Sequence, residues 1–172
     1  MKLAVAVHHD ADGAVAAGVA FEAWDAAEAV RIYTSRLGPS QMPHVERATP
    51  GEPSLRDLPC LLQLLREHAL EPEVIVIDGF VHLDAQETPG LGQHLHHALG
   101  GRCAVIGVAK TARPGLSAQF EVMREDETRP LIVTCVGIDL ASAKARLRTL
   151  HGKRRLPTLI KLVARIAKGN AG

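Results

Sequence analysis

Two apolar runs in this chain end on charged residues of opposite sign. EVIVID, residues 73–78, stops at Asp78, and CAVIGVA, residues 103–109, leads directly into Lys110. As neighbouring parallel strands, these runs would bring a carboxylate and an ammonium into the crevice beyond the strands' carboxyl ends, where open sheets bind ligands. A carboxylate there can hold a divalent cation while an ammonium stabilises charge on a phosphate, so the pair suits phosphodiester chemistry. Each residue taken singly also has a plainer role, Asp78 in a turn with Gly79 and Lys110 as a surface charge.

The elements that must position this pair can be read from periodicity. LAVAVHH at 3–9 is short and rich in Ala and Val, and DADG then supplies turn chemistry, so a first strand enters a hairpin. In the next stretch Val15, Ala17, Val19 and Phe21 alternate with the smaller Ala14, Ala16, Gly18 and Ala20; this period of two predicts a strand despite the Ala content. AVRIYTSRL at 29–37 completes an antiparallel meander. Gly38 to Pro53 holds four prolines and reads as a loop long enough to carry function. Leu58, Leu61, Leu62 and Leu65 then recur at helical spacing, with Asp57 placed as an N-cap or as the third residue of a cap begun by Ser54. A short helix at 90–99 between the two apolar runs makes a βαβ unit and predicts that they lie parallel. FEVMRE and LIVTCVGI form a further hairpin, and helices from Asp139 to Leu150 and from Pro157 to Lys168 close the chain. The result is an α/β fold: a mixed sheet with an antiparallel meander, a βαβ unit and closing helices.

Composition sets the outer bounds. At 172 residues and 47% apolar, the chain is expected to form one domain. No window approaches a membrane span, and neither a membrane partner nor a cleavable signal peptide is expected. Cys60, Cys103 and Cys135 each sit among Leu, Val or Ile, which fits buried thiols in a reducing cytoplasm. The net charge of +1 conceals an asymmetry: residues 1–139 carry 11 basic against 19 acidic residues, whereas the nine charged residues after Asp139 are all basic. Such a segment, with Lys153, Arg154, Arg155 and Lys161 at its centre, can track phosphates in a salt-dependent manner. It also fits a solvated helix face that balances an acidic body. His94, His96 and His97 fit an exposed helix face better than a metal site.

The run VIVIDGFVHLD, then PGLGQHLHHALGG, then AVIGVAKT, resembles endonuclease V in order and spacing. That family comprises metal-dependent nucleases that cleave strands near deaminated bases such as inosine. PGEPSLRDLPCLL resembles the family's Pro-Gly segment and acidic helix start, and RPLIVTCVGIDLASA with HGKRRLPTLIKLVARIAKG resembles its last strand and closing helices. The likeness spans nearly all of residues 1–172 as a single endonuclease V-like domain. It implies a ribonuclease H-like fold, a Mg2+ or Mn2+ cofactor, DNA or RNA as partner, and a role in DNA repair or inosine-RNA cleavage. Asp78 then matches the family's central metal-binding aspartate, Lys110 its active-site lysine, and Asp57 a glutamate that helps hold the metal.

The chain departs from the family at three places. Ala6 stands where the first strand carries an aspartate, Ala164 where the last helix carries an acid or histidine, and Ala48 near the position of an aromatic wedge. His8 and Asp10 share the parity of Ala6 and are candidates to replace the missing ligand. Two functions follow: a metal-dependent endonuclease using Asp78, Asp57, Lys110 and His8 or Asp10, or a catalytically impaired homologue that binds nucleic acid or a protein through its basic helices. A second resemblance is confined to the first ~35 residues: His8-His9-Asp10-Ala11-Asp12-Gly13 resembles the opening motif of DHH-type phosphoesterases, which requires a helix at 14–24.

Overall fold

The computed structural model describes residues 1–41, 53–124 and 129–169. Its strands are β1 (Lys2–Asp10), β2 (Gly13–Phe21), β3 (Arg31–Leu37), β4 (Val74–Asp78), β5 (Ala104–Ala109), β6 (Glu121–Val122) and β7 (Leu131–Val136). Its helices are α1 (Leu58–Glu67), α2 (Leu91–Ala98), α3 (Leu140–Thr149) and α4 (Thr158–Ala167). All strands join one sheet in the order β3-β2-β1-β4-β5-β7-β6. β1, β4 and β5 run parallel, and every other pairing is antiparallel. The meander and the βαβ unit are therefore both present, and the strand at 13–21 removes the structural basis of the DHH-type reading. No described helix is long and apolar enough to cross a membrane.

The alternation of β2 decides which helices pack on which face. Its small residues Ala14, Ala16 and Ala20 face α1 in one buried cluster, with Cys60, Leu61 and Leu64. Gly18 fits the same tight face, where an added Cβ would come within 3.2 Å of Leu3 and 3.3 Å of Leu64. The larger Val19 and Phe21 face α3 and α4 instead, in a second cluster with Leu147, Leu159 and Val163. Burying large apolar side chains there contributes ~1.5–3 kcal/mol each. The strand at the sheet centre is thus sandwiched between helices, as its continuous apolar sequence requires.

Gly107 in β5 is where the loop after β4 comes down onto the sheet. A Cβ at this position would lie 2.6 Å from the Gly79 carbonyl and 2.8 Å from Thr134 Oγ1. That same hydroxyl accepts the Val81 N–H at 2.8 Å, so the first residues beyond Asp78 are fixed by β5 and β7 together. Gly79 N–H also donates to the Val108 carbonyl at 3.1 Å. The chain leaving Asp78 is in consequence anchored rather than loose.

Candidate functional site

β4 and β5 are hydrogen-bonded neighbours with Asp78 opposite Val108. Lys110 follows the last residue of β5, two positions past Val108, so it stands just beyond the level of Asp78. Both side chains are exposed, at adjacent strand tips. An anion arriving at this edge meets an accessible ammonium beside an accessible carboxylate.

Asp57 sits immediately before α1, but it does not cap the helix as the sequence predicts. Its backbone is already helical, and its side chain makes no capping bond. The carboxylate is turned to β1, where Oδ1 lies 2.6 Å from His9 Nε2. The side chains of His9 and Asp57 are only 14% and 18% exposed. Burial pushes the Asp57 carboxyl above its ordinary range; hydrogen bonding and charge from His9, and the charge of Arg56, oppose the rise, while the negative Asp78 adds to it. The charge of Asp78 therefore reaches Asp57, although alternation places Asp78, with Val76, on the α4 side of the sheet and His9 on the α1 side. His9, which the sequence reading passed over, is the partner of Asp57. Its signal was available: alternation puts Val5, Val7 and His9 on the α1 side of β1, whereas Ala4, Ala6 and His8 face α4.

The other proposed ligands lie apart from this pair. Asp10 Oδ1 accepts the Asp12 N–H at 2.8 Å in the hairpin turn, and Oδ2 lies 3.5 Å from Arg36. His8 is half-buried on the α4 side. The β1–β4 ladder ends at Ala4–Val76, two residues short of Ala6 and Asp78. Ala6 packs against the α4-side cluster, and Ala164 is half-buried on α4. Neither methyl group can ligate a cation. Among the described residues, no group of three or more His, Cys, Asp or Glu side chains is arranged to hold a metal ion. The residues present do not fit a Mg2+ or Mn2+ centre, because one of the two carboxylates is already committed to His9 and the flanking positions are alanines. Ala48 and the proposed wedge lie outside the described residues.

The basic segment divides into two kinds of residue. Lys153, Arg154 and Lys161 are exposed. Arg155 instead turns back onto the protein: it donates to the Arg129 carbonyl at 3.1 Å, to the Pro130 carbonyl at 2.8 Å and to the carbonyl of Lys110. Arg124, 7% exposed, grips the other side of the same loop. It donates to the carbonyls of Leu147 (2.6 Å), Leu150 (3.1 Å), Gly152 (2.6 Å) and Arg154 (3.0 Å). The carbonyls left over at the end of α3 are thereby satisfied by a guanidinium, the preferred charge at a helix C-terminus. The loop between α3 and α4 is thus fastened against the tip of β5.

The remaining polar candidates have structural roles. His94 and His97 are exposed on α2, and His96 Nδ1 lies 2.7 Å from the Cys103 carbonyl. Cys60 and Cys103 are buried, Cys135 is half-buried, and none of the three is in a disulfide. A cavity of about 660 Å3 lies between the ends of α1 and α2, lined among others by Leu62, Leu70, Leu99 and Arg102, and none of the predicted site residues lines it.

No protein-family model matches the chain, and no curated protein matches it. Solved structures do. Endonuclease V from Streptomyces avermitilis is 26% identical with a TM-score of 0.65, over 98% of this chain and 78% of that one. Human endonuclease V is 19% identical with a TM-score of 0.70, over 98% and 82%. Endonuclease V from Ciona intestinalis, solved with a 24mer DNA containing an inosine followed by a ribo-adenosine, is 18% identical with a TM-score of 0.72, over 98% and 84%. The chain is similar to these proteins in fold, and its architecture is ribonuclease H-like.

Proposed function

We propose that this chain binds nucleic acid at the β4–β5 tips and the adjoining α3–α4 loop, as an endonuclease V-like protein whose metal-dependent strand cleavage has been lost. The observation that carries this reading is the fastening of the loop by Arg155 to the backbone of Lys110. It supports reading the exposed Lys110, Lys153 and Arg154 as parts of one surface. Lys161, early in α4, extends that surface along the helix. The loss of cleavage is supported by Ala6, Ala164 and the His9–Asp57 pair: among the described residues no group of three or more His, Cys, Asp or Glu side chains is arranged to hold a metal ion.

Four phosphate-contacting cations imply a slope of log K against log salt of about −3 to −4 on duplex DNA, and about −3 on single strands. The test measures binding of labelled DNA and RNA, with and without one inosine, across a salt series. Strand integrity is followed in Mg2+ and in Mn2+. Salt-dependent binding without cleavage supports the proposal, and absence of binding at low salt overturns it.

A retained nuclease is favoured by one observation, the influence of Asp78 on Asp57, which keeps two carboxylates at one site. Metal-dependent cleavage that disappears in Asp78→Ala would establish that second reading in place of the first.

A further inference from the structure

Arg155 and Arg124 share an unusual property: seven hydrogen bonds from two guanidiniums all end on backbone carbonyls. The acceptors come from the end of α3, the loop after it, the tip of β5 and the approach to β7. A guanidinium suits this task because its planar fork presents five donors in fixed directions, which an ammonium cannot match. Between the two, Lys153 and Arg154 are left exposed with their backbone held. The Thr158 N–H closes the loop onto the His151 carbonyl at 2.8 Å.

We infer that the 151–156 loop is a preformed phosphate-gripping element in which Lys153 and Arg154 make the contacts, while Arg155 and Arg124 are positioning residues that set it beside Lys110. This deepens the proposed function and rests on it. It also reassigns Arg155, whose charge alone had placed it among the contacting residues. Holding the loop backbone in place before binding removes part of the cost of ordering the contact side chains it carries. With two such side chains, release of the loop lowers affinity roughly tenfold.

The experiment compares Arg155→Lys with Arg155→Gln in the full chain, with Lys153→Gln and the Arg155→Gln/Lys153→Gln double variant. A contacting Arg155 would be replaced well by Lys, because the positive charge is kept. A positioning Arg155 would not, so the inference requires both single variants to lose roughly tenfold in affinity. It also requires Lys153→Gln to cost less in the Arg155→Gln background than in the native one. Native affinity in Arg155→Lys, or additive losses in the double variant, would overturn it. Hydrogen exchange of the Thr158 amide, measured without nucleic acid, reads the fastening directly: faster exchange in Arg155→Lys supports it, and unchanged exchange overturns it. Failure of the native chain to bind any nucleic acid defeats the proposed function, while the exchange measurement still reports on the loop.

Discussion

Replacing Arg124 with Met removes the hydrogen bonds at the end of α3 while keeping most of the apolar stem. Of the four bonds, those to Leu147 and Leu150 are buried, and those to Gly152 and Arg154 are partly open to solvent. The two buried carbonyls lose their partner without gaining water, at about 1–3 kcal/mol each, whereas the outer two can rehydrate at little cost. Lost charge–dipole interaction at the helix end adds up to about 1 kcal/mol. Arg124→Met should therefore lose about 3–5 kcal/mol, which for a chain of this size lowers Tm by about 10 °C. Arg124→Lys should recover only part of the loss, since one ammonium cannot reach four acceptors spread over Leu147 to Arg154. Trp24 reports the transition well: it is the single tryptophan, with Phe21 edge-on at 5.6 Å and the Arg146 guanidinium of α3 5.5 Å from its ring. Urea unfolding followed by its fluorescence gives the stability directly, with an unchanged m-value as the check that the transition stays two-state. A loss below ~1 kcal/mol, or full recovery in the Lys variant, would refute the reasoning from buried carbonyls.

Asp57→Asn should gain stability relative to the native chain as pH rises above 3.8, the carboxyl's ordinary value. Because burial raises the folded carboxyl's pKa, the native state binds that proton more tightly than the unfolded chain does; its contribution is complete below the ordinary value and is lost as pH rises through the folded one. Unfolding at several pH values checks this, and an advantage that shrinks between pH 4 and neutrality would count against it. Millimolar Mg2+ or Mn2+ should leave Tm unchanged, because the ligand set is incomplete; a cation present at 100 times its dissociation constant would add about 2.7 kcal/mol, a rise of several degrees that differential scanning fluorimetry detects.

The sheet was legible because its alternation is strong. In β2 the helix-forming alanines were outweighed by the period of two, and the structure gives the reason: small residues line the side pressed by α1, larger ones the side facing α3 and α4. The neighbouring strand tips of β4 and β5 were legible for a similar reason, since a helix between two apolar runs forces them parallel. What could not be read was partnership over long distances. Asp57 looked like a helix cap because its spacing to the leucines fits one, but burial beside β1 gave its carboxylate a better partner in His9. His8 and Asp10 attracted attention through the parity of Ala6, whereas α1 approaches the opposite face of β1 and so meets His9. Arg124 and Arg155 carry no sequence signal for the bonds described, because the acceptors of those bonds are carbonyl oxygens that every residue possesses.

On the proposed reading, the strand tips supply a reason why binding would outlast cleavage. Asp57 is desolvated, and the negative charge of Asp78 adds to the rise of its pKa. A bound divalent cation is one remedy, and it needs further ligands from the strand and helix that flank the pair. Here those flanking positions are Ala6 and Ala164, and the compensation is supplied by a side chain instead: His9 against Asp57. Such compensation is permanent and independent of metal supply. It leaves positive charge on the surface where an incoming phosphate would meet it, and the loop secured by Arg155 extends that charge along the same edge. Restoring one ligand by Ala6→Asp would set a new carboxylate against the α4-side apolar cluster while Asp57 remains occupied by His9. Recovery of metal chemistry would therefore require an added ligand, with Asp57 offering a cation the carboxylate oxygen that His9 does not use.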